Sequence, residues 1–110
     1  MLWLVACIGS GGLAVGTPDL VVPESVLFTS DVLGSTASLV LSNVGTEEAW
    51  VTLTLVPQDS GFGVPSDPFN VAAGETHEAV VSRLEADADL GASVLVDAVY
   101  AKWSVTILSP

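Results

Sequence analysis

Two stretches, Ser42-Asn43-Val44-Gly45-Thr46-Glu47-Glu48 and Val71-Ala72-Ala73-Gly74-Glu75-Thr76, decide the fold. Each is a polar turn bearing a glycine, set between apolar runs whose residues alternate in and out, as half-buried antiparallel strands do. Asn and Gly tolerate left-handed backbone conformations, and Asn can hydrogen-bond its own backbone, so Asn43-Val44-Gly45 can reverse the chain tightly. Gly74 is expected to do the same before the next strand.

Working outward, the runs Asp19–Val22, Glu24–Thr29, Ser35–Ser42, Ala49–Val56, Phe62–Val64, Thr76–Leu84, Ala92–Ala98 and Trp103–Leu108 are short and rich in Val, Leu, Thr and aromatics. Breaks at Pro23, Asp31–Gly34, Asn43–Glu48, Pro57–Gly61, Pro65–Pro68, Ala73–Glu75, Glu85–Gly91 and near Tyr100–Lys102 separate them. Seven or eight strands at such spacing predict an all-β, Ig-like antiparallel sandwich. Ala79–Leu90 is the nearest approach to a helical period, but the β-branched pair Val80-Val81 and the turn residues at both ends favour a strand.

Alternation assigns the faces. Val51, Leu53 and Leu55 point inward, with Thr52 and Thr54 outward. The same rule buries Ala37, Leu39 and Leu41, then Val94 and Val96 (or Leu95), then Val105 and Ile107. Phe28, Phe62 and Phe69 are expected to plug the sandwich ends. Trp50 and Trp103, near strand starts, are expected to bury their rings while keeping a partner for the indole N–H.

The 110 residues leave room for one domain, with an N-terminal segment at 1–16 and the sandwich at 17–110. Half the residues are hydrophobic and 14% are charged, a globular composition. Thirteen acids face only Arg83 and Lys102, for a formal net charge of −11. Without a basic patch, nucleic-acid binding lacks its phosphate contacts, and anionic membrane surfaces repel the domain. The lone Cys7 excludes an intrachain disulfide, no Cys/His metal framework is present, and no cofactor is called for.

Leu4-Val5-Ala6-Cys7 resembles the lipobox of bacterial lipoproteins, in which a small residue precedes the cysteine that is acylated and becomes the new N-terminus. The resemblance implies lipidation of Cys7, with Gly9-Ser10-Gly11-Gly12 as a flexible tether. A second export reading places ordinary signal cleavage after Ala14-Val15-Gly16, before Thr17. Either reading sends the domain to the bacterial cell envelope or beyond. The opening apolar stretch falls short of the roughly 20 residues of a membrane-spanning helix, so any membrane attachment is through the lipid.

From Leu20 to about Leu108 the chain resembles bacterial Ig-like domains of the ASPM/Hydin (ASH, choice-of-anchor D) type. The residues that carry the likeness are Leu20-Val21-Val22-Pro23 followed by Val26-Leu27-Phe28, then Gly34-Ser35-Thr36, then the Asn-x-Gly-Thr turn at Asn43–Thr46. Phe62-Gly63-Val64, Val71–Glu75 and Gly91 complete it. Leu84–Asp89 stands where that family carries an aromatic-x-Pro segment. The CARDB type of Ig-like domain is similar in the same two turns and in Pro18-Asp19-Leu20.

Residues able to do chemistry are few. His77 is the only histidine, at a strand start, and no Gly-x-Ser-x-Gly elbow supplies it with a nucleophile, so a small hydrolase on a sandwich is the weakest reading. Glu85-Ala86-Asp87-Ala88-Asp89-Leu90-Gly91 superficially resembles a calcium loop but lacks the terminal bidentate Glu, and reads as a solvated turn with at most weak calcium affinity. The resemblance and the composition imply a non-catalytic module that binds a protein or glycan at the envelope through a face, a loop or an edge strand. A structural subunit of a surface assembly is the alternative. No catalytic, cofactor or metal residue is assigned.

Overall fold

Alternating burial runs through every long strand, and it stacks two sheets face to face. In the computed structural model, which describes residues 19–99 and 101–110, nine strands are found: β1 (Leu20–Val21), β2 (Ser25–Leu27), β3 (Thr36–Asn43), β4 (Ala49–Val56), β5 (Phe62–Gly63), β6 (Phe69–Val71), β7 (Thr76–Arg83), β8 (Ser93–Ala98) and β9 (Ala101–Leu108). One sheet has the order β1-β3-β7-β5 and the other β2-β9-β8-β4-β6. All pairings are antiparallel except β2 with β9, where Thr106, Ile107 and Leu108 lie beside Ser25, Val26 and Leu27. The fold is therefore the expected all-β Ig-like sandwich. The readings on residues 1–16, including Cys7, the Gly/Ser tether and cleavage before Thr17, lie outside the described residues.

The chain changes sheets at every connection but the last, from β8 to β9. After β1 it passes through Val22–Glu24 and joins the opposite sheet as β2, where Thr106 N donates to Glu24 O and Phe28 N to Leu108 O. Val64–Pro68 crosses in the same direction, from β5 to β6. Phe69–Val71 is thus a three-residue edge strand on Ala49–Val51, in a stretch that falls outside the strand runs expected from the sequence.

The inward set is as alternation predicts. Ala37, Leu39, Leu41, Val51, Leu53, Leu55, Val94, Val96, Val105 and Ile107 are all buried, whereas Leu95 is half exposed. Phe28 and Phe62 meet at one end, ring centroids 5.4 Å apart and tilted by 43°. Trp103 is partly buried against the core. Trp50 differs from expectation: it is 53% exposed, because it shares the outward parity of Thr52 and Thr54, and on an 8-residue strand that parity outweighs the preference of a large ring for burial.

Candidate functional site

The two turns meet through one buried side chain. Asn43, 1% exposed at the end of β3, donates from Nδ2 to Glu47 O (2.7 Å) and to Val71 O (2.9 Å), and its Oδ1 accepts from Gly45 N (2.9 Å). Its backbone N–H donates to Glu75 O and its carbonyl accepts from Gly74 N. Gly74 adopts the expected positive φ of 80°, with open space where a Cβ would sit. Among the described residues the glycines with positive φ are Gly34, Gly61 and Gly74, so the first turn reverses without a left-handed Gly45 and is held instead by the Asn43 side chain. This knot joins the β3–β4 and β6–β7 connections into one rigid end of the sandwich.

His77 occupies the inward parity of β7, opposite Leu41, and its ring stacks on Phe69 with centroids 4.1 Å apart and planes 15° apart. It is half-buried, not on the solvated outer face that its polar neighbours Thr76 and Glu78 share. Phe69 therefore closes this end of the sandwich as the histidine's partner. Among the described residues no hydrogen bond links His77 to a serine or a carboxylate. In the acidic corner, Asp89 Oδ1 accepts from Gly91 N at 2.8 Å, Asp89 N donates to Ser60 O at 2.7 Å, and Glu85, Asp87 and Asp89 are exposed. Among the described residues no three His, Cys, Asp or Glu side chains gather closely enough to hold a metal ion.

Arg83 is the functional-looking residue that sequence reasoning passed over. It sits at the end of β7 and is only 3% exposed. Its Nη2 donates to Ser109 Oγ (2.6 Å) and its Nη1 to Ala86 O (3.4 Å), its guanidinium lies 5.4 Å from the Phe62 ring centroid, and no acceptor among the described residues reaches Nε. The signal was parity: Arg83 follows Ala79 and Val81 on the inner face. A buried charge without a carboxylate is held at a desolvation cost that three neutral contacts offset only in part. We expect Arg83→Met, which keeps the length and the packing on Phe62, to leave stability within about 1 kcal/mol of the parent or to raise it, whereas Arg83→Ala loses the packing and unfolds earlier. Urea denaturation of both variants checks this; a Met variant as unstable as the Ala variant would show that the charge itself holds the end together.

The outward surfaces differ in character. The four-stranded sheet presents Thr36, Ser38, Val40, Ser42, Thr76, Glu78, Val80 and Ser82, with the Ser42 and Thr76 hydroxyls 3.2 Å apart. On the five-stranded sheet Asn70 Nδ2 donates to Glu48 Oε2 beside the exposed Trp50, and Lys102 pairs with Asp97 at 3.7 Å. Both partners of that ion pair are well exposed, so it contributes little to stability.

This double sheet with its strand-switching N-terminal crossing is the fold of PapD-like, ASH-type Ig domains. The Pseudomonas aeruginosa CupB2 chaperone superposes with a TM-score of 0.63 at 10% identity, over 81% of this chain and 55% of that one. The Escherichia coli chaperone DraB gives 0.57 at 13% identity, over 88% and 57%. The ASH/PapD-like domain 7 of human CEP192 gives 0.55 at 12% identity, over 96% and 95%. The chain spans just over half the length of the two chaperones and nearly all of the CEP192 domain. No family model matches the sequence, and no curated protein sequence does either.

Proposed function

We propose that this chain is a non-catalytic protein-interaction module of the bacterial cell envelope, in which residues 17–110 form the binding domain and Cys7 carries the lipid that tethers it. The observation that supports the interaction role is the fold: two of the structures it resembles are chaperones, proteins that bind other proteins. Export is supported by the apolar opening segment and by the lipobox-like Leu4–Cys7. With its sheet edges and its Asn43-braced loops, the sandwich offers main-chain and loop surfaces to a protein partner, a mode that needs no cofactor.

Two measurements test the reading. Labelled palmitate is expected to enter the protein in bacterial cells and to be lost in Cys7→Ala; a soluble, unlabelled wild type would remove the tether. Crosslinking in the native envelope, followed by capture of the domain, is expected to bring down a defined protein. Capture of the domain alone, in long oligomers, would favour the surface-assembly reading instead.

A further inference from the structure

One side of β3 is only partly paired among the described residues. Arg83 N donates to Ser35 O and Asn43 N to Glu75 O, so the odd-numbered residues of β3 turn their amides toward β7. The even-numbered residues Thr36, Ser38 and Val40 turn theirs the other way. On that side β1 pairs only with Asn43 and Ser42. By Glu24 the chain is already bonded to β9 in the opposite sheet. Among the described residues no strand therefore pairs with the outer side of Thr36–Leu41, a stretch of about six residues or roughly 20 Å of extended chain.

Sandwiches usually protect such edges with charge, proline or brevity. Two of the other open stretches here are so protected: that of β7 carries Glu78, and β5 beside it leads into the Val64–Pro68 connection with its two prolines, while that of β9 carries Lys102. That of β4, Thr52–Val56, is also uncharged, but it is one residue shorter than that of β3 and is stopped by Pro57. Thr36-Ala37-Ser38-Leu39-Val40-Leu41 has neither charge nor proline. Charge is instead concentrated beyond its ends. Of the thirteen carboxylates only Glu78 and Asp97 lie on strands. Asp31 precedes β3, while Glu47 and Glu48 follow it and Asp19 and Glu75 are bonded through their backbones to its last turn.

From this we infer that the β3 edge is a docking slot for an extended segment of another protein, uncharged over about six residues and bearing Lys or Arg at its ends. The inference rests on the reading of the chain as an interaction module and names the surface and the partner's chemistry. The segment adds as a new strand on Thr36, Ser38 and Val40, and its basic ends meet the acidic ends of β3. A second copy of this chain fits worse. Antiparallel self-pairing of β3 sets Asp31 of each copy against the acidic C-terminal end of the other, between two molecules of net charge −11.

The test uses a synthetic peptide of alternating valine and threonine with a lysine pair at each end. Titrated into the full chain, it is expected to bind and to slow amide exchange of Thr36, Ser38 and Val40 at least tenfold. Raising salt from about 0.1 M to about 1 M weakens the binding, and the same peptide with glutamates for lysines does not bind. N-methylation of alternate peptide amides is expected to weaken it by about tenfold or more, since each blocked amide removes a main-chain bond. Ser38→Pro removes an amide that the fold itself does not use and is expected to weaken binding to the same degree. Should that variant fail to fold, the N-methylated peptide against the unaltered protein still decides. Absence of binding, binding indifferent to N-methylation, protection on a strand other than β3, or a dimer of the protein alone protected at Ser38 and Val40 overturns the assignment. The titration needs no native partner, so its failure leaves the interaction-module reading to the envelope crosslinking.

Discussion

Asn43→Ala is expected to destabilise the domain by about 3 kcal/mol, roughly 1 kcal/mol for each of the three side-chain hydrogen bonds it removes. The estimate is set by what is left behind. Val71 O sits in a fully buried bond, and with the amide gone no water replaces it, so the carbonyl keeps its desolvation without a partner. Glu47 O and Gly45 N are partly buried and recover some solvation. For a domain of this size such a loss is a large share of the 5–15 kcal/mol typical of native proteins, and thermal unfolding is expected to fall by roughly 15 °C. Asn43→Asp is expected to be at least as damaging, because its carboxylate accepts from Gly45 but faces two carbonyl oxygens with no hydrogen to give. Ser42→Ala, one residue away, removes only the exposed contact with Thr76 and is expected to change stability by less than about 0.5 kcal/mol. Equilibrium unfolding of the three variants measures the contrast. An Ala variant within about 1 kcal/mol of the parent would mean that the knot does not hold the two turns together.

That knot also marks where the sequence stops being legible. Alternation assigns Ala37, Leu39 and Leu41 of β3 and Val51, Leu53 and Leu55 of β4 to the inner face correctly, since a period of two is a local property. The Asn43 bond to Val71 O spans 28 residues and depends on which strands become neighbours, which no local period encodes. Phe69–Val71 is too short for a period to appear at all. Trp50, Arg83 and His77 teach a common lesson. In each case strand parity, which was readable, set the side chain's direction, while residue type pointed the other way: a large indole outward, a cation and an imidazole inward. Parity wins because reversing one side chain slips the register of the whole strand. The open β3 edge follows the same division. Its lack of charge is in the sequence, but its exposure follows from β1 leaving the sheet after two residues.

Gly61→Ala is expected to cost about 3 kcal/mol, several times more than the same change at Gly74, and the difference isolates packing from backbone strain. Both glycines have positive φ, 89° and 80°. A side chain at such an angle carries a strain of order 1 kcal/mol or slightly more whatever surrounds it. At Gly74 the Cβ would point into open space, so strain is the whole effect. At Gly61 it would lie 3.0 Å from Ala88 Cα and 3.1 Å from Ala88 Cβ, and the first of these is backbone that a rotamer change cannot move. The obstruction falls where yielding is expensive. Gly61 O accepts from both Leu84 N and Glu85 N, and the neighbouring Ser60 O accepts from Asp89 N, so Ala88 is tied down on both sides by bonds to the segment it would have to leave. Moving it apart breaks these bonds and lifts the loop that covers Arg83 through Ala86 O. Gly61→Ala is therefore expected to lower the urea midpoint sharply, and Gly74→Ala to lower it by only the amount that about 1 kcal/mol of unfolding free energy represents. The double variant Gly61→Ala with Ala88→Gly removes only part of the clash, because the Ala88 Cα remains, and is expected to recover less than half of the loss. Equal effects at Gly61 and Gly74 would show that the 85–89 loop gives way freely and does not brace this end of the sandwich.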